Sequence, residues 1–414
     1  MAKNFANIYN RTGDSIALNQ KFFAVKEITK GLIVGPANDD FFFTKDGGAI
    51  THTHPKESSS HRSGRHNTDI IRKKKVTEWN IPTFVNIDVD VAAGITEVEK
   101  GIQLLWESLL GKATISSGVI FDSTTDPDIT FSLFENGDKW AHQAFGCAVE
   151  SNAISLPGDG EAGFEWSGRG ADRKRVGVGR SDADNNAGNT ITLQAATEAK
   201  RFPVGSLVMI IEADGLTRSA DTAPGTYRTV TARDTGTGVV TLDGAALADA
   251  DGSGTPVYLA YAEPDAPVGI ANIQTGLVGS ISVDGLGGIV GCVRSASVTL
   301  TNNHEYVDYC YGTDALASPF FVPGGRLNVE TELELNLNDL LIEFLDDLEE
   351  FTAQDIDMIL GDATTRHFKM DLPKTIFDVP SVSVPSEGSI PVTFSGMGFQ
   401  TALDNADEVT VSYL

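Results

Sequence analysis

Apolar residues recur at every second position in many short stretches of this chain, the period of a strand with one buried face. The alternation is longest at 327–337, where Leu327, Val329, Thr331, Leu333, Leu335 and Leu337 alternate with polar neighbours. Strands are predicted at 22–25, 32–34, 76–88, 129–134 and 144–150, and again at 281–283, 297–300, 327–337, 367–372 and 408–413. A helical period occurs once in each group. Thr96 with Glu99 reads as a capping box, Val98, Ile102, Leu105, Trp106 and Leu109 share one face, and Gly111 supplies the stop. The second helix is predicted at 339–350, with Leu341, Phe344, Leu345 and Leu348 on one side.

The two groups are related. Residues 154–170 align without a gap to 382–398, an offset of 228. Ser155/Ser383, Pro157/Pro385, Gly160/Gly388, Ser167/Ser395, Gly168/Gly396 and Gly170/Gly398 are identical pairs. Ile154 and Leu156 match Val382 and Val384, and Phe164 and Trp166 match Val392 and Phe394. Each copy reads as a β-hairpin with a Pro/Gly-rich turn, ended by Ser-Gly-x-Gly. A β unit duplicated within one chain points to symmetry and assembly.

Between the groups, short strands at 190–193, 207–211, 226–232, 239–242 and 257–261 are separated by Gly/Asp turns, the signature of a small sandwich or barrel. Pro264 and Pro267 close this stretch. The expected organisation is a mainly β protein with three parts: a first domain at 1–185, an inserted small all-β domain at 186–266, and a second domain at 267–414.

Charge sharpens the picture. The chain of 414 residues carries a net −26. Residues 1–80 hold 13 Lys+Arg against 8 Asp+Glu, while the remainder holds 18 against 49. Eleven acids and no Lys or Arg lie between Glu330 and Asp357. Surfaces lined by those acids should repel nucleic acid. No apolar run is long enough for a membrane span, and the N-terminus has no secretory apolar stretch. Cys147, Cys292 and Cys310 are too widely spaced for a CxxC metal site and too few for a disulfide framework.

Motifs for chemistry are weak. Gly158-x-Gly160-x-x-Gly163 has the letters of a dinucleotide loop, but a strand follows it and Asp159 and Glu161 would repel a pyrophosphate. His52, His54, His61 and His66 cluster with Asp69 in a Ser/Thr-rich stretch; a metal site there would make a metal-dependent hydrolase the rival reading. Asp182, Asp184 and Asn186 lack the Gly and closing Glu of a calcium loop. Catalytic residues, cofactor and metal are therefore expected to be absent. The basic run Arg72, Lys73, Lys74, Lys75 with Trp79 reads as a subunit contact facing the acidic stretch of a neighbour.

The order of several segments resembles the major tail tube proteins of long-tailed bacteriophages, in the longer form with two tandem tail-tube folds. The likeness rests on 71–84, on 149–156 through 164–168, on 293–303, on 322–335 and on 399–414. It implies two tail-tube β-sandwich or barrel domains, each with a flanking helix, around an Ig-like or small-barrel decoration facing outward and dispensable for assembly. It also implies a virion protein, assembled in a bacterial cytoplasm, that stacks in rings as a conduit for DNA. Three subunits would form a pseudo-hexamer, with a true hexamer as alternative. Expected partners are further copies, tape measure and terminator proteins, and double-stranded DNA in transit. His52, His54, His61, Arg65, Arg72, Lys73, Lys74, Lys75 and Trp79 form the candidate assembly set, the His-rich loop reaching an adjacent ring. Another β-structural role, a capsid decoration or an adhesin, is the alternative.

Overall fold

In the computed structural model the chain is mainly antiparallel β. The structure describes all residues except 1–2, 12–19, 46, 59–61, 64–65, 68–69, 73–74, 91–94, 116–117, 124–126, 183–187, 224, 248–255, 268–272, 275–278, 285–292, 307–320, 323–325, 337–343, 346–347, 363–365, 383–389 and 403–404. The first part contains β1 (Lys21–Lys26), β2 (Ala49–Thr53), β3 (Val76–Phe84), helix α1 (Lys100–Leu109), β4 (Phe131–Asn136), β5 (Trp140–Pro157), β6 (Gly163–Gly170) and β7 (Asp172–Gly177). The central part contains β8 (Gly179–Arg180), β9 (Thr190–Thr192), β10 (Leu207–Ile211), β11 (Arg228–Arg233), β12 (Val239–Leu242) and β13 (Tyr258–Tyr261). The last part contains β14 (Gly279–Val283), β15 (Val293–Asn302), β16 (Leu327–Asn336), β17 (Gln354–Asp362), β18 (Arg366–Phe377), β19 (Pro391–Gly398) and β20 (Thr410–Tyr413).

The first and last parts have the same strand pairings in the same registers. β5 and β6 pair Ala148 with Arg169 and Val149 with Gly168; β18 and β19 pair Ile376 with Met397 and Phe377 with Gly396. All four positions differ by 228. β3 pairs with β6 as β16 pairs with β19: Phe84 faces Gly163, and Asn336 faces Pro391. β4 and β5 carry a bulge between Phe131 and Leu133, and β17 and β18 carry the same bulge between Gln354 and Ile356. The outer pairs β1–β4 and β5–β7 recur as β14–β17 and β18–β20. Strand register is set by which face is buried, so matching registers and a matching bulge mean matching inward faces.

Inward positions agree accordingly. Trp166 on β6 packs against Trp106 of α1 at 4.9 Å; Phe394, the equivalent of Trp166, packs against Phe344 at 5.7 Å. Phe344, Leu345, Leu348 and Glu349 are helical, in the segment predicted as the second helix. One apolar core joins both parts, and Trp106 Nε1 donates to the Tyr413 hydroxyl across it at 3.1 Å.

The parts meet edge to edge. Residues 151–157 of β5 pair with 295–301 of β15, so β2–β3–β6–β5–β15–β16–β19 is one antiparallel run. The central strands form a second sheet in the order β8–β13–β10–β11–β12–β9, and a bridge from Ser181 to Leu193 brings its ends together. This small barrel has its own core around Phe202, Ile210 and Tyr261. β8 pairs with β13, so the barrel begins at Gly179, before the boundary expected at 186.

Other local expectations fail for identifiable reasons. Residues 32–34 are coil, and Val34 N–H is taken by the Ser132 hydroxyl. The Thr96–Glu99 capping box does not form, because Ile95–Glu97 pairs with Asp88–Asp90 and the helix starts at Lys100. The second hairpin is not seen as expected: Val382 is exposed coil, 383–389 lie outside the described residues, and β19 pairs with β16 and β18.

Candidate functional site: sheet edges and a polar sheet face

The length difference between equivalent strands marks an edge. β5 has 18 residues and β18 has 12. The extra length of β5 is the segment clasped between β6 and β15. Its counterpart begins at residue 379, and there the chain is coil, with Val379 53% and Val382 41% exposed. β18 thus ends where its equivalent would need a further strand beside it. The complementary edge is β2, the equivalent of β15. β2 pairs with β3 on one side, and among the described residues no strand pairs with its other side. There Ile50 N–H donates to Glu135 Oε2 at 3.0 Å, and an Arg173 guanidinium N–H donates to the Ile50 carbonyl at 2.9 Å. Side chains thus occupy the two main-chain groups that Val298, the equivalent of Ile50, directs at Ile154 of β5.

The joined sheet has one core face and one polar face. On β16 the outward positions are Glu330, Glu332 and Glu334, while Val329, Thr331, Leu333 and Leu335 point in. Their cross-strand neighbours on β15 are Thr299, Ser297 and Ser295, and on β19 Met397, Ser395 and Thr393. The row through Glu330 and Thr299 continues to Ala153 and Glu165. Glu78 and Glu150 extend the face, and Arg169 and Arg294 are paired with Glu150 at 3.3 Å and Glu334 at 3.0 Å. Lys45 reaches the same face over Phe84, and six carboxylates against two paired guanidiniums and this one ammonium leave a hydroxyl-lined, negatively charged surface. The sequence singled out acids over 330–357 without assigning them to a face; the two-residue period within β16 could have done so.

The residues expected to mediate assembly are dispersed. His61, Arg65, Lys73 and Lys74 lie outside the described residues. Arg72 ends a short strand, Ile70–Arg72, paired with Lys56–Ser58. Trp79 is a correction: it is 2% exposed, stacks edge-on against Phe131 at 5.6 Å and belongs to the core, so a neighbouring chain does not reach it. It sits on β3 between outward Glu78 and Asn80, and strand alternation turns it inward. His52 and His54 stack edge-on at 4.8 Å. His52 shares a hydrogen bond between Nδ1 and Thr77 Oγ1 at 2.8 Å, and burial, opposed by Asp172, lowers its pKa to about 4. His52 is therefore neutral at physiological pH. Asp172 Oδ1 lies 3.7 Å from His52 Nε2, but among the described residues the only three ligand atoms gathered closely enough for a metal are those of Asp355, Asp357 and Asp371, and Lys369 already pairs with Asp357 at 2.7 Å. Gly158 and Gly160 form the turn between β5 and β6, and no helix follows.

The N-terminal side of the barrel meets a cationic cleft of about 1340 Å³ between β7 and the barrel. Nine Lys and Arg line it with one acid, Asp172. Lys75, the last member of the basic run, is among them.

No family model matches the chain, and no curated protein matches it.

Proposed function

We propose that this chain is a structural subunit that closes into rings through its sheet edges, and that stacked rings form a phage-type tail tube through which DNA passes. The observation that carries this reading is the β5–β15 junction. It joins two copies of one fold edge to edge and, among the described residues, leaves the corresponding edges unpaired on residues 50–53 and 379–382. Repeating the junction between chains would lay residues 379–382 of one chain along 50–53 of the next, as 151–154 lie along 298–301. Val382 would exchange both main-chain hydrogen bonds with Ile50, displacing Glu135 and Arg173. Pro380, at the place of Asn152, has no N–H to give, so the new ladder would start one bond short. A head-to-tail contact of this kind builds closed rings when its rotation closes, and closure removes exposed edges.

Two copies per chain make three chains the natural count for a pseudo-sixfold ring. The Glu- and Ser/Thr-lined face would line the bore. DNA carries about one negative charge per 1.7 Å of axis, so cations facing it would retard transit, whereas carboxylates outnumber cations on this face. Electron microscopy of the purified protein tests the reading: rings or tubes support it, and monodisperse globular monomers at high concentration refute it.

A further inference from the structure

The barrel covers one copy of the fold and leaves the other bare, and the registers say why. Phe23, Val25, Phe134 and Gln143 form the outer face of β1, β4 and β5. The barrel's Leu207 and Ala262 pack on the apolar three, and Gln143 makes two hydrogen bonds with the Leu207 main chain at 2.7 and 2.9 Å. The equivalent positions on β14, β17 and β18 are Ser282, Asp357 and Asp371, with Asp284 following in place of Val25. Asp355 stands where the first copy has Ser132. The apolar seat of the barrel is thus replaced by a knot of four Asp with one Lys, Lys369, against it. Partial burial raises the carboxyl of Asp355, and repulsion from Asp371, Asp357 and Asp284 adds to the shift.

The opposite imbalance occupies the cleft. Arg173, Lys174 and Arg175 come from β7, and Lys200, Arg201 and Arg233 from the barrel. Asp138 pairs with Arg11 and Glu198 with Arg201, while Lys174, Arg201 and Arg233 donate to main-chain carbonyls, which hold the side chains without neutralising them. Lys174 donates to Val204 at 2.7 Å, Arg201 to Val178 at 2.6 Å and Arg233 to Lys200 at 2.9 Å. Carbonyl tethers fix a rigid positive surface in a chain whose net charge is −26. Both surfaces are strained by like charges, and each is the complement of the other.

We propose that the cationic cleft of one chain receives the Asp284/Asp355/Asp357/Asp371 face of a second copy, a charge-matched contact additional to the strand pairing at β2, with Arg173 at the border of the two. The inference rests on the reading of the chain as a self-assembling subunit. Its two surfaces lie on different parts of one chain, so the contact is head-to-tail and propagates. Tyr9 and Trp140 also line the cleft, so single-stranded nucleic acid is the competing occupant.

Two full-length variants test this. The first reverses the cleft at exposed positions (Arg175→Glu, Lys200→Glu, Arg233→Glu); the second reverses the knot (Asp355→Lys, Asp357→Lys). Sedimentation velocity at low salt, where exposed charges are least screened, should show loss of association for each alone. Their equimolar mixture should associate again, because each variant supplies the surface that the other needs. Thermal melts by circular dichroism verify folding, and the milder pair Lys200→Gln with Arg233→Gln should lower the salt concentration at which association is half lost. Association of either reversed variant by itself, or no rescue between two folded variants, overturns the proposal. So does a cleft variant that assembles normally but loses binding to a single-stranded oligonucleotide. Tubes that persist in both variants would sink this contact and leave the ring reading standing. Wild-type protein without rings would sink the ring reading, while the pairing of the two variants would still report on the cleft.

Discussion

The repeated Ser-Gly-x-Gly is explained atom by atom. A Cβ on Gly168 would lie 2.1 Å from the Ala148 carbonyl oxygen, and one on Gly396 would lie 3.0 Å from that of Ile376, the equivalent residue 228 positions on. Each glycine allows its strand to approach the crossing strand, and Trp79 or Phe377 fills the space beside it at 2.5 and 2.6 Å. Gly168→Ala and Gly396→Ala are each expected to lower stability by about 1–3 kcal/mol, the usual cost of overpacking a filled interior. The tighter site, Gly168, should lose more, and urea unfolding of the two variants checks the order. These glycines were legible as a repeat from the sequence alone, because close main-chain approach tolerates no other residue. The side to which Trp79 points was not. A basic run beside an aromatic suggests a surface, but the parity of β3 decides, and it places Trp79 beside Phe131 in the core.

At the scale of elements, β3, β16 and the two helices announced themselves through period and position. What the sequence concealed is that the equivalence extends to seven strands. Loop lengths differ between copies, so the offset is 228 along β5 and β6 but 252 along β3. Inward positions need only be apolar and of fitting size, so identity is lost while register is kept. The hairpin expected at 382–398 depended on a neighbour that one chain does not contain. β5 continues past Val149 because β15 holds it, and no strand does this for 379–382 among the described residues. Val382→Pro isolates that point. It removes the N–H assigned to the next chain from an exposed coil residue. The variant is expected to keep the wild-type melting temperature and to form no rings in sedimentation or microscopy; rings of normal yield would separate assembly from this segment.

For the whole molecule, the barrel was expected to be a dispensable decoration. It is seated on Phe23 and Phe134, both 0% exposed. Removing 190–263 should bare this face and cause aggregation. Adding Phe23→Ser, Val25→Asp and Phe134→Asp, the residues of the bare copy at equivalent positions, should restore solubility; a deletion protein that is soluble without these changes would show that the seat contributes little. The polar face makes a separate prediction. Glu330→Lys with Glu332→Lys and Glu334→Lys should leave tubes intact and slow DNA passage, more at low salt than at high. Unaltered passage would remove the electrostatic role of that face.

The central claim is that one junction, seen within the chain, is reused between chains. A cryo-EM reconstruction of assembled rings at side-chain resolution examines it directly. The account predicts three chains per ring, with residues 379–382 of each paired to 50–53 of the next in the register of 151–154 against 298–301. Rings in which Val382 remains in solvent and β2 keeps its free edge would contradict it.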